Sequence, residues 1–174
     1  MFISPKIEKK EICKSGIFIL DDVLSDNQLG NLRVGLKVLC EDNRKNRYLR
    51  KWNDIKFAHP LLKIVSKYFN LKRRYRYELW QHILAKQLLW HTDKDEDMWE
   101  KLDKISRPLF GLVYYPLVGC SGGDLILENG IRITPKSNRL VLFSSGTIKH
   151  CVEEHDGYRH SFLINVWNKK KLGV

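Results

Sequence analysis

Long apolar runs are missing from this 174-residue sequence. No stretch approaches the roughly 20 consecutive apolar residues that a membrane-spanning helix needs. The N-terminus has a short apolar start that soon meets Ser4 and Pro5, and this run is too brief for the hydrophobic region of a secretory signal peptide. The sequence therefore predicts a soluble protein with no membrane partner.

Cysteine is scarce, and the four residues present form no Cys-x-x-Cys pair. Cys13, Cys40, Cys120 and Cys151 have neither the spacing of a zinc site nor that of a disulfide framework. We expect free thiols in a reducing compartment, and hence a cytoplasmic protein.

A calcium-binding loop is excluded by two missing residue types. Asp93, Asp95 and Asp97 alternate like the first ligands of an EF-hand loop. However, Met98 stands where that loop requires glycine, and Lys104 stands where it requires glutamate. We expect this acidic run to be a solvated, mobile loop instead.

Acidic residues are outnumbered, at 20 against 31 basic ones, which leaves a net charge of +11. Much of the excess lies within residues 41–76. Solvated helix faces and loops explain such a cluster most simply. The alternative is a basic surface that attracts an acidic partner or nucleic acid.

The residues that are present indicate a folded globular chain. Hydrophobic residues make up 43% of it, five tryptophans are included, and the length suits one domain with a substantial core. Ser25 and Gln28 have the spacing of a helix capping box, and Leu29, Leu32, Leu36 and Leu39 follow at helical intervals. Pro60 suits the first turn of a second helix. The apolar face of that helix would comprise Leu61, Val65, Tyr68 and Phe69.

From Tyr75 onward the pattern changes to short runs rich in aromatic and aliphatic residues. Asn129-Gly130 separates two such runs and predicts a hairpin with a type I′ turn. Many short strands without intervening helices predict a mainly β protein with flanking helices. Its core would be a double-stranded β-helix (jelly-roll or cupin-like), with the N-terminal helices packed on one sheet. We expect one domain over residues 1–174, with a strand and supporting helices in 1–73, the barrel in 74–168 and a basic tail in 169–174.

Four residues suggest chemistry. His91 and Asp93 are two positions apart, so at a strand end both side chains can reach one ion, and a distant His150 can complete a 2-His-1-carboxylate triad for Fe(II). Arg159 offers a planar fork for the distal carboxylate of 2-oxoglutarate. Fe(II), one carboxylate and Arg159 together balance the −2 charge of that cosubstrate.

A His-x-Asp pair is common by chance, so the interpretation depends on the motifs between the ligands. These are Arg107-Pro-Leu-Phe-Gly-Leu-Val-Tyr-Tyr-Pro, Ser121-Gly-Gly-Asp-Leu-Ile-Leu and Asn138-Arg-Leu-Val-Leu-Phe, followed by Arg159-His-Ser. Over roughly residues 74–168, this order resembles the prolyl 4-hydroxylase-like branch of the Fe(II)/2-oxoglutarate oxygenases.

The resemblance implies a site and an activity. His91, Asp93 and His150 would bind Fe(II), and 2-oxoglutarate would contact Arg159, Tyr115, Leu125 and Ser161. Ascorbate is a candidate reductant. Relatives carry a tyrosine about ten residues before the His-x-Asp pair, whereas Gln81 and Ala85 occupy that region here. Because Asp93 fills the position at which related halogenases bind halide, hydroxylation of a C–H bond is expected, with release of succinate and CO₂.

The substrate is left open by these motifs. The resemblance favours a peptidyl proline in a peptide or protein, and a free amino acid or other small molecule is the main rival. Nucleic-acid demethylation ranks third, because the second arginine of that family is missing after Arg159. A cupin-like module that binds a metal without turnover is the non-enzymatic alternative.

Two segments are expected at the rim of the site, residues 94–106 and the region Arg44–Lys56. Trp99 is the one large apolar side chain in its charged stretch, and it could close over substrate or simply anchor its loop. Trp167, near the end of the last strand, is the second candidate for substrate contact. The remaining histidines, His59, His82, His155 and His160, are expected to have ordinary polar or packing roles.

Overall fold

The computed structural model describes residues 9–12, 16–42, 49–72, 74–83 and 87–168. The strands are β1 (Lys9–Ile12), β2 (Ile17–Leu20), β3 (Leu49–Arg50), β4 (Arg76–Ile83), β5 (Leu88–His91), β6 (Phe110–Gly122), β7 (Leu125–Leu127), β8 (Arg132–Ile133), β9 (Arg139–Phe143), β10 (His150–Val152) and β11 (His155–Trp167). The helices are α1 (Asp26–Asp42), α2 (His59–Val65) and α3 (Glu96–Leu102), with a 3-10 segment at Trp52–Ala58. No helix among these residues has the length and apolarity of a membrane span.

The strands form two sheets, and every pairing is antiparallel. The major sheet has the order β1-β2-β9-β6-β11-β4-β3, and the minor sheet has the order β5-β10-β7-β8. From β4 onward the chain passes back and forth between the sheets, so β4, β6, β9 and β11 lie in one and β5, β7, β8 and β10 in the other. This alternation is that of a double-stranded β-helix, and the fold class predicted from the sequence is confirmed.

The major sheet is buried on both faces, because successive side chains of a strand point to opposite sides. On β9, Leu140 and Leu142 face the helices, whereas Val141 and Phe143 face the minor sheet. The helix-side core adds Leu32 and Leu36 of α1 and Leu61 and Val65 of α2 to the strand residues. The N-terminal helices therefore cover one face of this sheet, and the opposite face is left to line the barrel.

The N-terminal features predicted for α1 and α2 are present in the structure. Gln28 Oε1 accepts from the Ser25 backbone N–H at 3.0 Å, and Ser25 Oγ accepts from the Gln28 backbone N–H at 3.4 Å, which is the expected reciprocal cap. Pro60 lies in the first turn of α2. That helix ends at Val65, however, so Tyr68 and Phe69 pack on the core from the following turn and not from a helix face.

The hairpin at Asn129-Gly130 has a different turn from the type I′ turn predicted. Gly130 has φ +84°, but Asn129 does not have the positive φ that a type I′ turn requires. The Gly130 N–H donates to the Leu127 carbonyl at 2.9 Å, and the Leu127 N–H donates to the Ile131 carbonyl at 2.9 Å. The connection is thus a three-residue loop in which glycine takes the left-handed position after an ordinary turn.

The acidic run after Asp93 is helical, so the prediction of a solvated loop was wrong. Asp95 is fully buried and caps α3, accepting from the Met98 backbone N–H at 3.2 Å. The Asp95 backbone N–H donates to the Ser106 carbonyl at 2.8 Å. An aspartate at a helix N-cap satisfies an otherwise unpaired backbone donor, and the charged residues that follow it can remain exposed.

One ion pair joins the end of β2 to β9 in the major sheet. Arg139 donates to Asp21 through Nε at 2.6 Å and through Nη2 at 2.8 Å. We expect Arg139→Ala to lower the free energy of unfolding by about 1.5–3 kcal/mol, since a charged, two-point hydrogen bond is lost. Urea denaturation at neutral pH measures this loss.

The same pair predicts a pH dependence. The hydrogen bond from Arg139 holds the pKa of the Asp21 carboxyl below its ordinary value of 3.8. The contribution of this carboxylate is therefore present above that value and is lost as the pH falls through the lower pKa of the folded state. Asp21→Asn should reduce the acid-dependent part of the stability curve. If the free energy of unfolding at low pH depended on pH equally in Asp21→Asn and in the unaltered protein, Asp21 would not be the group responsible.

Of the four cysteines, Cys120 and Cys151 are free thiols. Cys13 and the side chain of Cys40 lie outside the described residues. The basic tail at 169–174 and Ala85 also lie outside them.

Candidate metal centre and adjoining pocket

The three predicted ligands come together at one end of the minor sheet. His91 is the last residue of β5 and His150 the first of β10, and the two are directly paired across the strands. Asp93 follows β5, where its backbone N–H donates to the Ser145 carbonyl at 2.9 Å. One potential ligand atom from each of the three residues lies within 4.8 Å of the other two, and His91 Nε2 is 3.9 Å from Asp93 Oδ1. One small cation fits among these atoms.

Both histidines are oriented by the backbone. His91 Nδ1 is 2.7 Å from the Leu89 carbonyl, and His150 Nδ1 is 2.9 Å from the Ile148 carbonyl. A carbonyl only accepts, so each Nδ1 carries the proton and each Nε2 keeps its lone pair for a metal. Burial lowers the pKa of His150, which favours the neutral, ligating form. The arrangement presents two nitrogens and one carboxylate.

Arg159 lies inside the barrel and is 3% exposed. Its guanidinium donates to the Gly123 carbonyl at 3.1 Å, to Ser161 Oγ at 3.3 Å and to the Tyr115 hydroxyl at 3.3 Å. It also lies over the Tyr115 ring, 5.2 Å from the centroid. Burial raises the pKa of Tyr115, so its hydroxyl stays protonated and neutral. All of these partners are neutral.

The Gly-Gly pair at the end of β6, Gly122 and Gly123, makes room for this guanidinium. Gly123 has φ +77°, and a Cβ there would lie 2.9 Å from Arg159 Cδ and 3.1 Å from His155 Cβ. Gly122 has φ +74°, and its Cβ would meet the Glu154 carbonyl oxygen at 2.7 Å. Glycine is therefore required at both positions for backbone conformation and for close approach.

We expect Gly123→Ala to destabilise the fold by about 1–3 kcal/mol and to displace Arg159, because the new methyl group would overlap its side chain. Gly130→Ala is the matched control: it has the same kind of positive φ, but no atom lies within 4 Å of the place that its new methyl group would take. Both variants should lose stability in urea. Only Gly123→Ala should weaken binding of 2-oxoglutarate, the ligand expected from the sequence. Equally weak binding by both variants would contradict the inference that the methyl group at position 123 displaces Arg159.

A narrow inner cavity of about 40 Å³ connects the triad with Arg159. It is lined by Trp80, His82, Leu88, His91, Asp93, Val113, Leu125, His150, Val152, Arg159, Ser161 and Leu163. The other cosubstrate residues expected from the sequence, Tyr115, Leu125 and Ser161, are all buried, and the last two line this cavity. The structure therefore brings the predicted metal and cosubstrate residues to one place.

A larger cleft of about 890 Å³ opens over the triad. It shares five residues with the inner cavity, namely Trp80, His82, Leu88, His91 and Asp93. His82, expected from the sequence to have an ordinary packing role, thus lies where the two spaces meet. Its neighbour Gln81 points to the helix side, where it bonds His160 at 2.7 Å and the Leu36 carbonyl at 2.9 Å. The alternation of β4 could have indicated this, since His82, Trp80 and Glu78 share one face.

The two tryptophans proposed to contact substrate differ in access. Trp99 is 40% exposed and lines the cleft, with Lys94 Nζ 4.5 Å from its ring centroid. Trp167 is 2% exposed, and its indole N–H donates to Glu78 Oε2 at 3.1 Å. Trp167 is therefore not part of the cleft lining, although its partner Glu78 is.

The second segment predicted at the rim was Arg44–Lys56, and its described residues, 49–56, lie away from the cleft. Ile55 and Ala58 are buried in the helix-side core, and none of the described residues 49–56 lines the cleft. Residues 43–48 lie outside the described ranges. The described rim is formed by β4, β5 and residues 92–107.

Comparison with known proteins finds solved structures with a similar fold, but neither a family model nor a curated sequence that matches. No protein-family model matches the chain, and no curated protein sequence matches it significantly. Among solved structures, a Pseudomonas putida prolyl-4-hydroxylase superposes with a TM-score of 0.63 at 14% identity, covering 91% of this chain and 96% of that one.

Two further structures have the same fold. The viral collagen prolyl hydroxylase of Paramecium Bursaria Chlorella virus-1, in a 2-oxoglutarate complex, matches with a TM-score of 0.63 at 14% identity, covering 92% of this chain and 100% of that one. A Trichoplax adhaerens prolyl hydroxylase bound to a hypoxia inducible factor peptide fragment matches at 0.60 and 16% identity, covering 91% and 86%. At these identities the likeness establishes the prolyl hydroxylase fold, and the resemblance seen in the sequence motifs is confirmed at that level.

Proposed function

We propose that this protein is an Fe(II)- and 2-oxoglutarate-dependent oxygenase that hydroxylates a C–H bond. The observation that carries the proposal is a buried cation beside three side chains that can ligate one metal ion. Arg159 is almost fully buried, and no carboxylate among the described residues pairs with it. A buried charge without a counter-ion is costly, so this pocket favours an anionic ligand.

The donor set fits Fe(II). Two imidazole nitrogens and one carboxylate oxygen are the ligands of the facial triad, which leaves coordination positions open. The backbone carbonyls at Leu89 and Ile148 hold both rings in the ligating tautomer. Arg159, on the same inner cavity, would bind the distal carboxylate of 2-oxoglutarate.

When bound, Fe(II) and 2-oxoglutarate supply the oxidation, in which O₂ hydroxylates the substrate and the cosubstrate becomes succinate and CO₂. The chain's own residues do the positioning. Tyr115 and Ser161 hold the Arg159 fork, and the apolar side chains of Leu125 and Val113 exclude water from the cavity. The Asp93 carboxylate occupies the position that halide would need, which favours hydroxylation over halogenation.

For the substrate we propose a peptidyl proline. The Trichoplax structure of the same fold holds a peptide fragment. The cleft of about 890 Å³ has room for several residues of a chain, more than a free amino acid requires. Exposed apolar side chains at its rim, Leu89, Trp90 and Ile105, suit a peptide better than a small polar molecule. The cysteine pattern of the sequence is the basis for proposing a cytoplasmic location, and the resemblance of its motifs is the basis for proposing ascorbate as reductant.

The test is succinate formation from 2-oxoglutarate with Fe(II) and ascorbate, followed by mass spectrometry of proline-containing peptides for a gain of 16 Da. We expect both. Absence of succinate under these conditions would favour a metal-binding module without turnover. Succinate with oxidation of free amino acids, and none of peptides, would replace the peptide substrate by a small molecule.

A further inference from the structure

A separate cavity of about 420 Å³ lies at the start of β4, and we call it the basic pocket. It is lined by Lys51, Trp52, Asn53, Arg74 and Arg76. Three of these five side chains are cations and none is a carboxylate. The positive charge that the sequence concentrates in residues 41–76 is therefore gathered, in part, around one concave surface.

Among the described residues, these cations have no acidic partners. Within the described part of the chain, no carboxylate forms an ion pair with Lys51, Arg74 or Arg76, although Arg132 and Arg139 elsewhere are paired. Arg76 is half-buried and donates through Nη1 to the carbonyls of Arg74 at 3.0 Å and Tyr75 at 3.3 Å. Its guanidinium is thus held in place by neutral acceptors while its charge stays uncompensated. Cations converging on a concave surface attract anions.

The Trp52 side of the basic pocket is held by ring packing and a hydrogen bond. The Trp52 indole stacks on His59 with ring centroids 4.5 Å apart, and it meets Tyr77 edge-on at 5.8 Å. His59 Nε2 also donates to the Trp52 carbonyl at 2.8 Å. A site that is already ordered loses little conformational entropy when a ligand binds.

Strand β4 connects this pocket with the active-site cleft. Arg76 begins the strand, and Glu78, Trp80 and His82 follow at alternate positions along the cleft. At about 3.3 Å per residue, Arg76 lies roughly 13 Å along the strand from Trp80 and roughly 20 Å from His82. An extended peptide spans these distances in about four to six residues.

We propose that the basic pocket is an anion subsite for the peptide substrate, taking acidic side chains about four to six residues from the residue placed over the metal. The inference rests on the proposed function for the identity of the substrate. Single-stranded nucleic acid is the weaker alternative. Among the described residues, the cleft is lined by the apolar side chains of Leu89, Trp90 and Ile105, and its two cations, Lys94 and Arg107, are accompanied by the carboxylates of Glu78, Asp93 and Glu96.

The test measures binding and turnover separately. Fluorescence anisotropy gives the affinity of the full chain, loaded with Mn(II) and 2-oxoglutarate, for labelled single-proline peptides. One peptide set carries glutamates four to six residues before or after the proline, and a matched set carries glutamines. We expect the glutamate peptide to bind about tenfold tighter at low ionic strength, with the difference shrinking in high salt.

The variant Lys51→Gln/Arg74→Gln removes two exposed cations of the basic pocket and should abolish the glutamate preference. Lys63→Gln/Lys67→Gln removes two exposed cations on the helix layer, changes the net charge equally, and should retain the preference. Equal affinity for both peptide sets, or an equal loss in both variants, would overturn the subsite. So would tighter binding of a single-stranded oligonucleotide with the same dependence on Lys51 and Arg74.

Succinate formation by the unaltered protein with Fe(II) and 2-oxoglutarate, measured with and without the peptides, is the independent check on the proposed function. Succinate without a glutamate preference overturns the subsite alone. A glutamate preference without succinate supports the subsite and overturns the oxygenase.

Discussion

His91→Ala abolishes 2-oxoglutarate turnover and leaves the fold in place: this is the largest effect that we expect. Loss of a partner that merely orients a metal ligand commonly costs 10- to 100-fold in activity or metal affinity, so loss of the ligand itself should cost more than about 100-fold. The His91 side chain is 41% exposed, so its truncation leaves little unfilled space in the core. Succinate formation measures the activity, and thermal unfolding measures the fold.

His160→Ala is the matched control. This histidine is on β11, points to the helix side and bonds Gln81, away from the cavity. Its loss should lower stability while leaving metal affinity near that of the unaltered protein. Mn(II) titration by calorimetry separates the two variants, and undiminished turnover in His91→Ala would remove that residue from the metal site.

The second large effect is expected at Arg159. Replacement by lysine keeps one positive charge but loses the planar fork that can donate two parallel hydrogen bonds to a carboxylate. Affinity for 2-oxoglutarate should fall by about 1.5–3 kcal/mol, which is roughly 10- to 150-fold, while metal affinity is unchanged. Titration of the Mn(II)-loaded protein with 2-oxoglutarate gives the cosubstrate affinity, and titration of the metal-free protein with Mn(II) gives the metal affinity.

Arg139→Lys controls for the loss of a fork elsewhere in the barrel. Arg139 makes a two-point contact with Asp21 at the end of the sheet, so its replacement should lower stability without weakening the binding of 2-oxoglutarate. If Arg159→Lys bound the cosubstrate as tightly as the unaltered protein, Arg159 could not be its carboxylate partner.

The sequence was most informative where metal-ligating residue types occur at the two-residue spacing of a β-strand. His91 and Asp93 are two residues apart at a strand end, which places both side chains toward one point. The motifs around Tyr115, Gly123 and Arg159 specify residue types that the barrel interior requires, and the structure brings them together. The fold class followed from the same short, regularly spaced strands.

Local signals also misled. The dipeptide Asn129-Gly130 favours a type I′ turn in isolation, but the strand register leaves a three-residue loop with glycine alone at positive φ. The acidic run after Asp93 looked too charged to pack, yet the carboxylate of Asp95 is buried as a helix cap, while the side chain of its neighbour Glu96 is 46% exposed. In both cases a tertiary contact outweighed the local preference.

What the sequence by itself determined was the fold class and the identity of the predicted metal ligands and of Arg159, because strand periodicity and ligand chemistry are local properties. What only the tertiary structure decided was which other residues share the inner cavity with them. His82 enters the cavity because it is paired with Ser161 across β4 and β11. Lys51 and Arg74 meet in one pocket because β3 returns alongside β4. These contacts depend on which distant segments pair as neighbouring strands. The spacing of residues within one segment does not predict that pairing.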